Sequence, residues 1–148
     1  MAVINACELP DDLYYDIEQG VWAREEAGGL LTLGMTDPAQ TRAGKIVHVH
    51  VRAVGRQLMR GRSAATIESS KWVGPFPMPL AGEIVAANAA LGTQPSLINK
   101  DTYGAGWIVR VRPSDPGEQA RLVTGEEAIE RYAAKIREGG VVCVRCAD

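Results

Sequence analysis

Alternating apolar and polar residues recur along most of the chain, and this period of two predicts β-strands. The clearest case is residues 46–51, where Ile-Val-His-Val-His-Val predicts a half-buried strand with its valines facing inward. Further strands are predicted within residues 13–23, 30–35, 64–70, 83–85, 104–112 and 141–146. Glycines and prolines lie between these runs and are typical of tight turns. The pattern therefore predicts a mainly β protein.

A short helix is predicted after the first strands. Thr36 or Asp37 is suited to cap its N-terminus. Pro38 fits at the first helical position because its missing N–H has no partner to lose there. We expect this helix to end near Gly44.

A longer helix is predicted near the C-terminus. Thr124 and Glu127 have the spacing of a capping box, in which each side chain satisfies a backbone donor of the other residue. Apolar residues follow at helical spacing and form one stripe: Ile129, Tyr132, Ala133 and Ile136. Gly139 and Gly140 end the helix, which we expect to pack on the β body through that stripe.

The middle of the chain contains a proline-rich segment and a short internal repeat. Pro75, Pro77 and Pro79 exclude a helix and a central strand, so this segment is predicted to be an edge strand or a loop. Residues 43–47, Ala-Gly-Lys-Ile-Val, recur at residues 81–85 as Ala-Gly-Glu-Ile-Val. This similarity predicts two related β units around a pseudo-two-fold axis.

Composition and charge narrow the class of protein. The chain has 148 residues, 46% of them apolar, which suffices for one core and predicts a single domain over residues 1–148. We expect its β core over about residues 13–112, then a helical cap over about 114–139 and a short final strand. Sixteen basic and 18 acidic residues nearly cancel, and the net charge of −2 predicts no nucleic-acid or membrane partner. The N-terminus lacks the features of a signal peptide, so we expect a cytoplasmic protein.

Lys71 has an unusual setting among the four lysines of the chain. It follows a β-branched predicted strand and two serines, Ser69 and Ser70, and it precedes the stiff proline-rich segment. This setting predicts a lysine exposed at the tip of a hairpin, where a modifying enzyme reaches the amine and an attached cofactor swings on the four-carbon stem. The simpler interpretation is an ordinary surface lysine.

The residues around Lys71 form a motif of a known protein family. Residues 68–71 read Glu-Ser-Ser-Lys, and Gly82 follows eleven residues after the lysine. The motif resembles the lipoylation hairpin of the glycine cleavage H-protein family, whose pattern is Glu-Ser-x-Lys. The similarity to the family continues through residues 36–40, 80–91 and 95–107.

This resemblance implies a fold and a cofactor. The family fold is a lipoyl-domain-like barrel-sandwich hybrid of two small antiparallel sheets, with a short helix after the first strands and a C-terminal helix. The resemblance also implies lipoate in amide linkage on Lys71, with Glu68 helping the attaching enzyme to recognise the hairpin. Biotin fits less well, because biotin carriers have Met-Lys-Met and this lysine lies between Ser70 and Trp72.

A chain of this kind is a carrier and not an enzyme, and it offers a dithiol/disulfide arm to successive partners. The resemblance implies a lipoyl-attaching ligase or transferase and dihydrolipoamide dehydrogenase among those partners, and we expect a monomer. The sequence itself contains no Ser-His-Asp set, no supported pair of catalytic carboxylates and no phosphate-binding glycine loop.

Three departures from the family pattern bear on the pathway. Residues 17–22 replace a His-Glu-Trp-like stretch, Trp72 replaces the usual alanine after the modified lysine, and residues 46–51 replace an acidic strand. The chain thereby resembles H-like lipoate-binding proteins that serve sulfur oxidation beside a heterodisulfide-reductase-like complex, which is our first expectation. The alternatives are the H protein of the glycine cleavage system, which carries an aminomethyl group, and an interaction module of the same fold without lipoate.

Two further groups of residues allow more than one interpretation. The odd number of cysteines argues against a disulfide framework, and we expect Cys7 near Cys143 or Cys146 as small apolar residues or an occasional disulfide. A redox-active Cys143/Cys146 dithiol and a zinc site are the alternatives. His48 and His50 have the spacing of a metal-chelating pair, but we predict no metal and place them on the outward face of their strand, where they are free to contact a partner.

Overall fold

The computed structural model describes residues 1–145, which form antiparallel sheets with a few helices. The strands are β1 (Ala2–Ile4), β2 (Cys7–Leu9), β3 (Tyr14–Asp16), β4 (Val21–Glu25), β5 (Leu31–Met35), β6 (Ile46–Val51), β7 (Gln57–Leu58), β8 (Ser63–Ser69), β9 (Val73–Pro77), β10 (Gly82–Ala87), β11 (Val109–Pro113) and β12 (Val123–Thr124). The α-helices are α1 (Asp37–Ala43), α2 (Leu97–Lys100) and α3 (Gly125–Gly139), and short 3-10 helices lie at Ala27–Gly29, Ala89–Gly92 and Pro116–Arg121.

Two sheets form the body of the protein. The large sheet has seven strands in the order β12-β3-β4-β5-β11-β10-β7, and the small sheet has three in the order β6-β8-β9. Neighbouring strands pair antiparallel in both sheets. The predicted mainly β sandwich with a short first helix and a C-terminal helix is confirmed. Its first sheet is larger than we expected, and β1 and β2 form a separate hairpin.

The main core lies between the two sheets. On β4 the alternate residues Val21 and Ala23 point into this core, together with Ile84 of β10. The small sheet contributes Ile67 and Phe76, which are 0% and 2% exposed. Burial of a large apolar side chain stabilises a fold by roughly 1.5–3 kcal/mol. The shared apolar layer therefore holds the small sheet on the large one.

A second core lies under α3, on the other face of the large sheet. Trp22 lies between Val21 and Ala23 on β4, so its side chain points to this opposite face. It packs there in one cluster with Tyr15 and with Tyr132 of α3. The predicted apolar stripe of the C-terminal helix is confirmed, and it fastens α3 to the sheet.

The short helix α1 has the ends that its sequence predicts. The hydroxyl of Thr36 accepts a hydrogen bond from the backbone N–H of Ala39 (3.3 Å), which identifies Thr36 as the N-cap. Gly44 follows the helix with φ +85°, a conformation that favours glycine. None of the helices within residues 1–145 has the length and apolar character needed to span a bilayer.

The capping box predicted for α3 is wrong. Thr124 is the N-cap by position, but its side chain makes no capping hydrogen bond. Its hydroxyl instead donates to the backbone oxygen of Leu13 (2.7 Å), because Thr124 belongs to β12 and pairs with Tyr14 of β3. The other end of α3 is as predicted, with Gly140 in the left-handed conformation.

The strand predicted over residues 141–146 is not formed in its described part, residues 141–145. The N–H of Cys143 donates one backbone hydrogen bond to Asn5 (3.0 Å), in the turn between β1 and β2. Side chains hold the segment instead. The guanidinium of Arg145 forms an ion pair with the buried carboxylate of Asp37 at 2.7 Å.

The two ends of the described chain are joined by a disulfide between Cys7 and Cys143. This is one of the two states that we expected for cysteines brought together by the termini. Because Cys143 is bonded to Cys7, it supplies neither a free thiol for a CxxC pair nor a zinc ligand while the disulfide exists. Cys146, the other member of the CxxC pair, lies outside the described residues.

Candidate functional site

Lys71 lies in the tight turn that connects β8 to β9. The last paired residues of the two strands are Glu68 and Val73. The turn is closed by a backbone hydrogen bond from the N–H of Ser69 to the oxygen of Trp72 (2.7 Å). The predicted hairpin is therefore present, and β9, which contains the alternating prolines, is an edge strand of the small sheet.

Two serines fix the backbone of this turn. The hydroxyl of Ser69 accepts a hydrogen bond from the N–H of Lys71 (3.2 Å) and donates one to the oxygen of Trp72 (3.3 Å). The N–H of Ser70 donates to the backbone oxygen of Lys45, just before β6 (3.1 Å). The turn is thus tied to its own strands and to the third strand of the small sheet.

The side chain of Lys71 is exposed, and its amine makes no hydrogen bond or ion pair with the described residues. Its stem passes close to Gly44, where a Cβ atom would lie 2.9 Å from Cε of Lys71. A glycine at this position leaves room for the stem. The result is a free primary amine on a flexible stem, carried by a fixed backbone.

Glu68 lies on the outward face of the small sheet, three residues before the lysine. It is exposed and stands opposite His48 of β6 and Val73 of β9 in the strand register. It forms no ion pair within the described chain. Its carboxylate is therefore accessible to a protein that approaches the turn.

The two histidines lie on the same outward face, as predicted. His48 and His50 are both exposed, whereas Val49 and Val51 are half-buried. Val47 departs from the pattern and is 47% exposed, because a bulge shifts the register between Ile46 and His48. No group of three His, Cys, Asp or Glu side chains with the geometry of a metal site occurs in residues 1–145.

A groove with a volume of about 440 Å³ lies beside the turn. Its walls come from parts of the chain that are far apart in sequence: β9 with the preceding Trp72, α1, α3, and the turn between β3 and β4 at residues 17–20. The main apolar contributors are Met35, Pro38, Ala39, Trp72, Phe76 and Ile136. The groove is therefore an apolar channel that begins next to Lys71.

Trp72 forms one wall of this groove. Its indole covers Gly74 so closely that a Cβ atom there would lie 2.0 Å from the ring, and the side chain remains 38% exposed. The phenol of Tyr132 lies within hydrogen-bond distance of the hydroxyl of Thr36 (2.6 Å). Burial raises the pKa of Tyr132 to about 12, so this phenol is uncharged near neutral pH.

Three charged side chains also line the groove. Arg42 and Lys135 supply positive charge, and Glu18 supplies negative charge. The amine of Lys135 donates a hydrogen bond to the backbone oxygen of Ile17 (3.3 Å). The three charged side chains of the groove therefore have a net charge of +1 when each is ionised.

The sequence did not predict the groove. Trp72 was noted only as a departure from a family pattern, and nothing in the spacing of α1 and α3 indicated that both would face the hairpin. The available signal was the small and apolar character of Pro38 and Ala39 in a helix that leads to Gly44. That signal does not show that α1 faces the hairpin and α3.

Comparison with known proteins matches the chain to one family and to individual relatives. A family model described as "Glycine cleavage H-protein" matches residues 13–135. "Glycine cleavage system H protein 3" of Aquifex aeolicus is 44% identical over 146 residues, which cover 96% of this chain and 91% of that protein. "Probable glycine cleavage system H protein 2" of Saccharolobus solfataricus is 43% identical over 147 residues, which cover 98% and 99%.

A solved structure is also similar. The crystal structure of a glycine cleavage system H protein from Mycobacterium marinum matches with a TM-score of 0.73 and 30% sequence identity. The match covers 90% of this chain and all of the other.

Substitution of Ser69 tests the fixed turn. Ser69→Ala removes both hydroxyl hydrogen bonds, each worth about 1 kcal/mol. We expect the amide of Lys71 to exchange with solvent about five-fold faster, as measured by NMR hydrogen exchange. Ser70→Ala is the matched control, since the hydroxyl of Ser70 makes no hydrogen bond within the described residues. Equal exchange in both variants and the unsubstituted protein would contradict this role of Ser69.

Proposed function

The chain belongs to the glycine cleavage H-protein family, and from that premise we propose that it is a lipoyl carrier with lipoate amide-linked to Lys71. One observation carries the proposal. The amine of Lys71 is exposed and unpartnered within the described residues, at the end of a turn whose backbone is fixed by Ser69 and Ser70. Acylation there breaks no contact of the amine and extends an arm from a rigid base.

The residues next to Lys71 fit a lipoyl group. The group is an apolar chain that ends in a sulfur-containing ring, and the groove beside the turn has an apolar wall formed by Trp72, Phe76 and Ile136. Apolar surface in such a groove favours an apolar arm. When attached, the group supplies a two-electron dithiol/disulfide couple. The protein holds the base of the arm and offers the groove as a resting place.

The other three lysines lack this combination of features. The amine of Lys135 donates a hydrogen bond to Ile17 on a wall of the groove. Lys100 ends the short helix α2, and Lys45 precedes β6. None of these three lies at the tip of a hairpin, so Lys71 is the attachment site that we propose.

Glu68 is proposed as a recognition residue for the lipoyl-attaching ligase or transferase. Its carboxylate is exposed and unpaired within the described chain, and it lies on the face that an enzyme must cover to reach Lys71. Glu68 thereby presents a negative charge to the bound enzyme at a fixed position near the amine of Lys71. Dihydrolipoamide dehydrogenase is the partner expected to reoxidise the arm.

For the pathway, glycine cleavage is the first candidate. The relatives described above carry names from that system, and they align over nearly their whole lengths. The arm would then carry an aminomethyl group between glycine cleavage enzymes. This ranking reverses our expectation from the sequence, because those names give the sulfur-oxidation role no support.

A sulfur-oxidising system with a heterodisulfide-reductase-like complex is the second candidate, and the charge of the groove favours it. An aminomethyl group on the arm is a cation when its amine is protonated. Arg42 and Lys135 repel a cation, and Glu18 alone attracts it. Trp72 and residues 17–20, which belong to the stretches where the chain departs from the family pattern, line the same groove.

Intact mass tests the carrier function. Coexpression with a lipoyl ligase should add the mass of one lipoyl group, and Lys71→Arg should abolish the addition because guanidinium groups are not acylated by such enzymes. Lys45→Arg is the matched control, since this lysine lies beside the same turn. It should leave the addition intact. No added mass on the unsubstituted chain would favour the interaction module without lipoate.

Glycine-dependent exchange of CO2 tests the pathway. The lipoylated protein, mixed with the three other glycine cleavage enzymes, should support glycine-dependent release and exchange of CO2 at the rate of an established H protein. A complete lipoyl modification without exchange would contradict the first candidate. That result would leave the carrier function in place and favour the sulfur-oxidising system.

A further inference from the structure

The small net charge of the chain conceals an uneven distribution. Residues 38–67 contain no aspartate or glutamate but six arginines or lysines and two histidines. The rest of the chain contains all 18 acidic residues and ten basic ones. Residues 38–67 are therefore a strongly basic region in a chain of small net charge.

Most of this positive charge lies in one surface segment. We call residues 52–62, which connect β6 to β8, the arginine segment, since it contains Arg52, Arg56, Arg60 and Arg62. β6 and β8 are antiparallel, so the segment lies at the end of the small sheet opposite to Lys71. β6 has six residues, which places the two ends about 20 Å apart at ~3.3 Å per residue.

The arginine segment has a fixed backbone. The N–H of Arg52 donates to Ala64 (2.9 Å), and the N–H of Gly55 donates to Ile84 (2.7 Å). Within the segment, β7 pairs with β10, and Leu58 is 7% exposed and packs in the main core. The side chains are thus displayed on an ordered support, which lowers the entropy cost of binding.

The side chains of the segment are mostly unsatisfied. Arg60 forms an ion pair with Asp16 at 3.1 Å, but Arg52, Arg56 and Arg62 are exposed and form none within residues 1–145. Two large apolar side chains stand among them, Val54 at 61% and Met59 at 67% exposure. Arginine and methionine are enriched in protein–protein interfaces, where apolar contact and charge occur together.

We propose that the arginine segment is a docking surface for an acidic and partly apolar face of the lipoyl-attaching enzyme. The proposal rests on the proposed function of Lys71. An attaching enzyme acts before any arm exists, so it must bring its own active site to the amine and cover the adjacent surface. A typical interface buries about 800 Å² on each partner and is about 30 Å across, so it includes both Lys71 and a contact about 20 Å away when Lys71 lies off its centre.

Charge complementarity favours a protein as the occupant. Three unpaired arginines attract an acidic face and speed its association. A nucleic acid or an anionic membrane is a more extended polyanion, and the net negative remainder of this chain would repel it. Glu68, at the other end of the small sheet, gives the bound enzyme a second charge of opposite sign and so helps to fix its orientation.

Lipoylation kinetics of a charge-reversed full-length chain test the proposal. The variant Arg52→Glu/Arg56→Glu/Arg62→Glu is incubated with lipoate, ATP and the purified ligase from the same genome, and product is measured by intact mass. We expect KM to rise and kcat/KM to fall at least ten-fold at low salt, with kcat nearly unchanged. The difference should shrink at 0.3 M salt, where charges are screened.

The control is a matched reversal elsewhere. The segment double variant Arg52→Glu/Arg56→Glu is measured beside Lys100→Glu/Arg137→Glu. This second variant changes the net charge equally, at exposed residues of α2 and α3. It should alter kcat/KM less than two-fold. Wild-type kinetics in the segment variant, or equal losses in both variants, would overturn the docking surface. The docking surface would also be overturned if the segment variant is lipoylated at the normal rate but no longer binds heparin or anionic vesicles. No lipoyl addition to the unsubstituted chain would instead contradict the proposed function itself.

Discussion

The hydrogen bond from the N–H of Ser69 to the oxygen of Trp72 is the constraint on which the functional surface depends. It closes the turn between β8 and β9 with two residues, Ser70 and Lys71, at the tip. The hydroxyl of Ser69 and the N–H of Ser70 supply further hydrogen bonds of the turn, and the side chain of Lys71 takes part in none of them. Its amine is left for chemistry while its Cα is held in place.

The same turn also determines where an arm can go. Trp72 packs over Gly74 and faces a groove whose other walls are α1, α3 and residues 17–20. α3 reaches that position because Tyr132 and Ile136 bury against the large sheet, and α1 ends at Gly44, which leaves room for the lysine stem. A carrier needs both a fixed base and a place that shields the arm between partners. The fold supplies these two features from elements that meet only in the tertiary structure.

The sequence predicted the elements whose cause is local. Alternation predicted β6, the prolines predicted the edge strand β9, and Gly140 predicted the end of α3. The errors arose where a tertiary contact competes with a local one. The hydroxyl of Thr124 bonds Leu13 instead of capping its own helix, and residues 141–145 are held by side chains instead of a strand ladder.

The lysine and its hairpin were also predictable, because strand, serines and prolines act within a few residues of each other. The groove was not, since its walls come from distant parts of the chain. For the cysteines, the sequence placed Cys7 near Cys143 or Cys146 but left open whether a disulfide forms, which the structure shows between Cys7 and Cys143. The arginine segment was missed for a different reason. A net charge averages over the whole surface, and it hides a basic end that is balanced by acidic residues elsewhere.

The central claim is that a rigid turn carries a free amine. The most direct test is to measure the mobility of the backbone of the turn and of the Lys71 side chain in the unmodified protein. We predict NMR order parameters near 0.85 for the amides of residues 69–72, together with rapid motion of the Lys71 side-chain Nζ group. Order parameters below about 0.6 for the turn would contradict the account, because the base of the arm would then be flexible. An immobilised Nζ group would contradict it equally, because the amine would then have a partner.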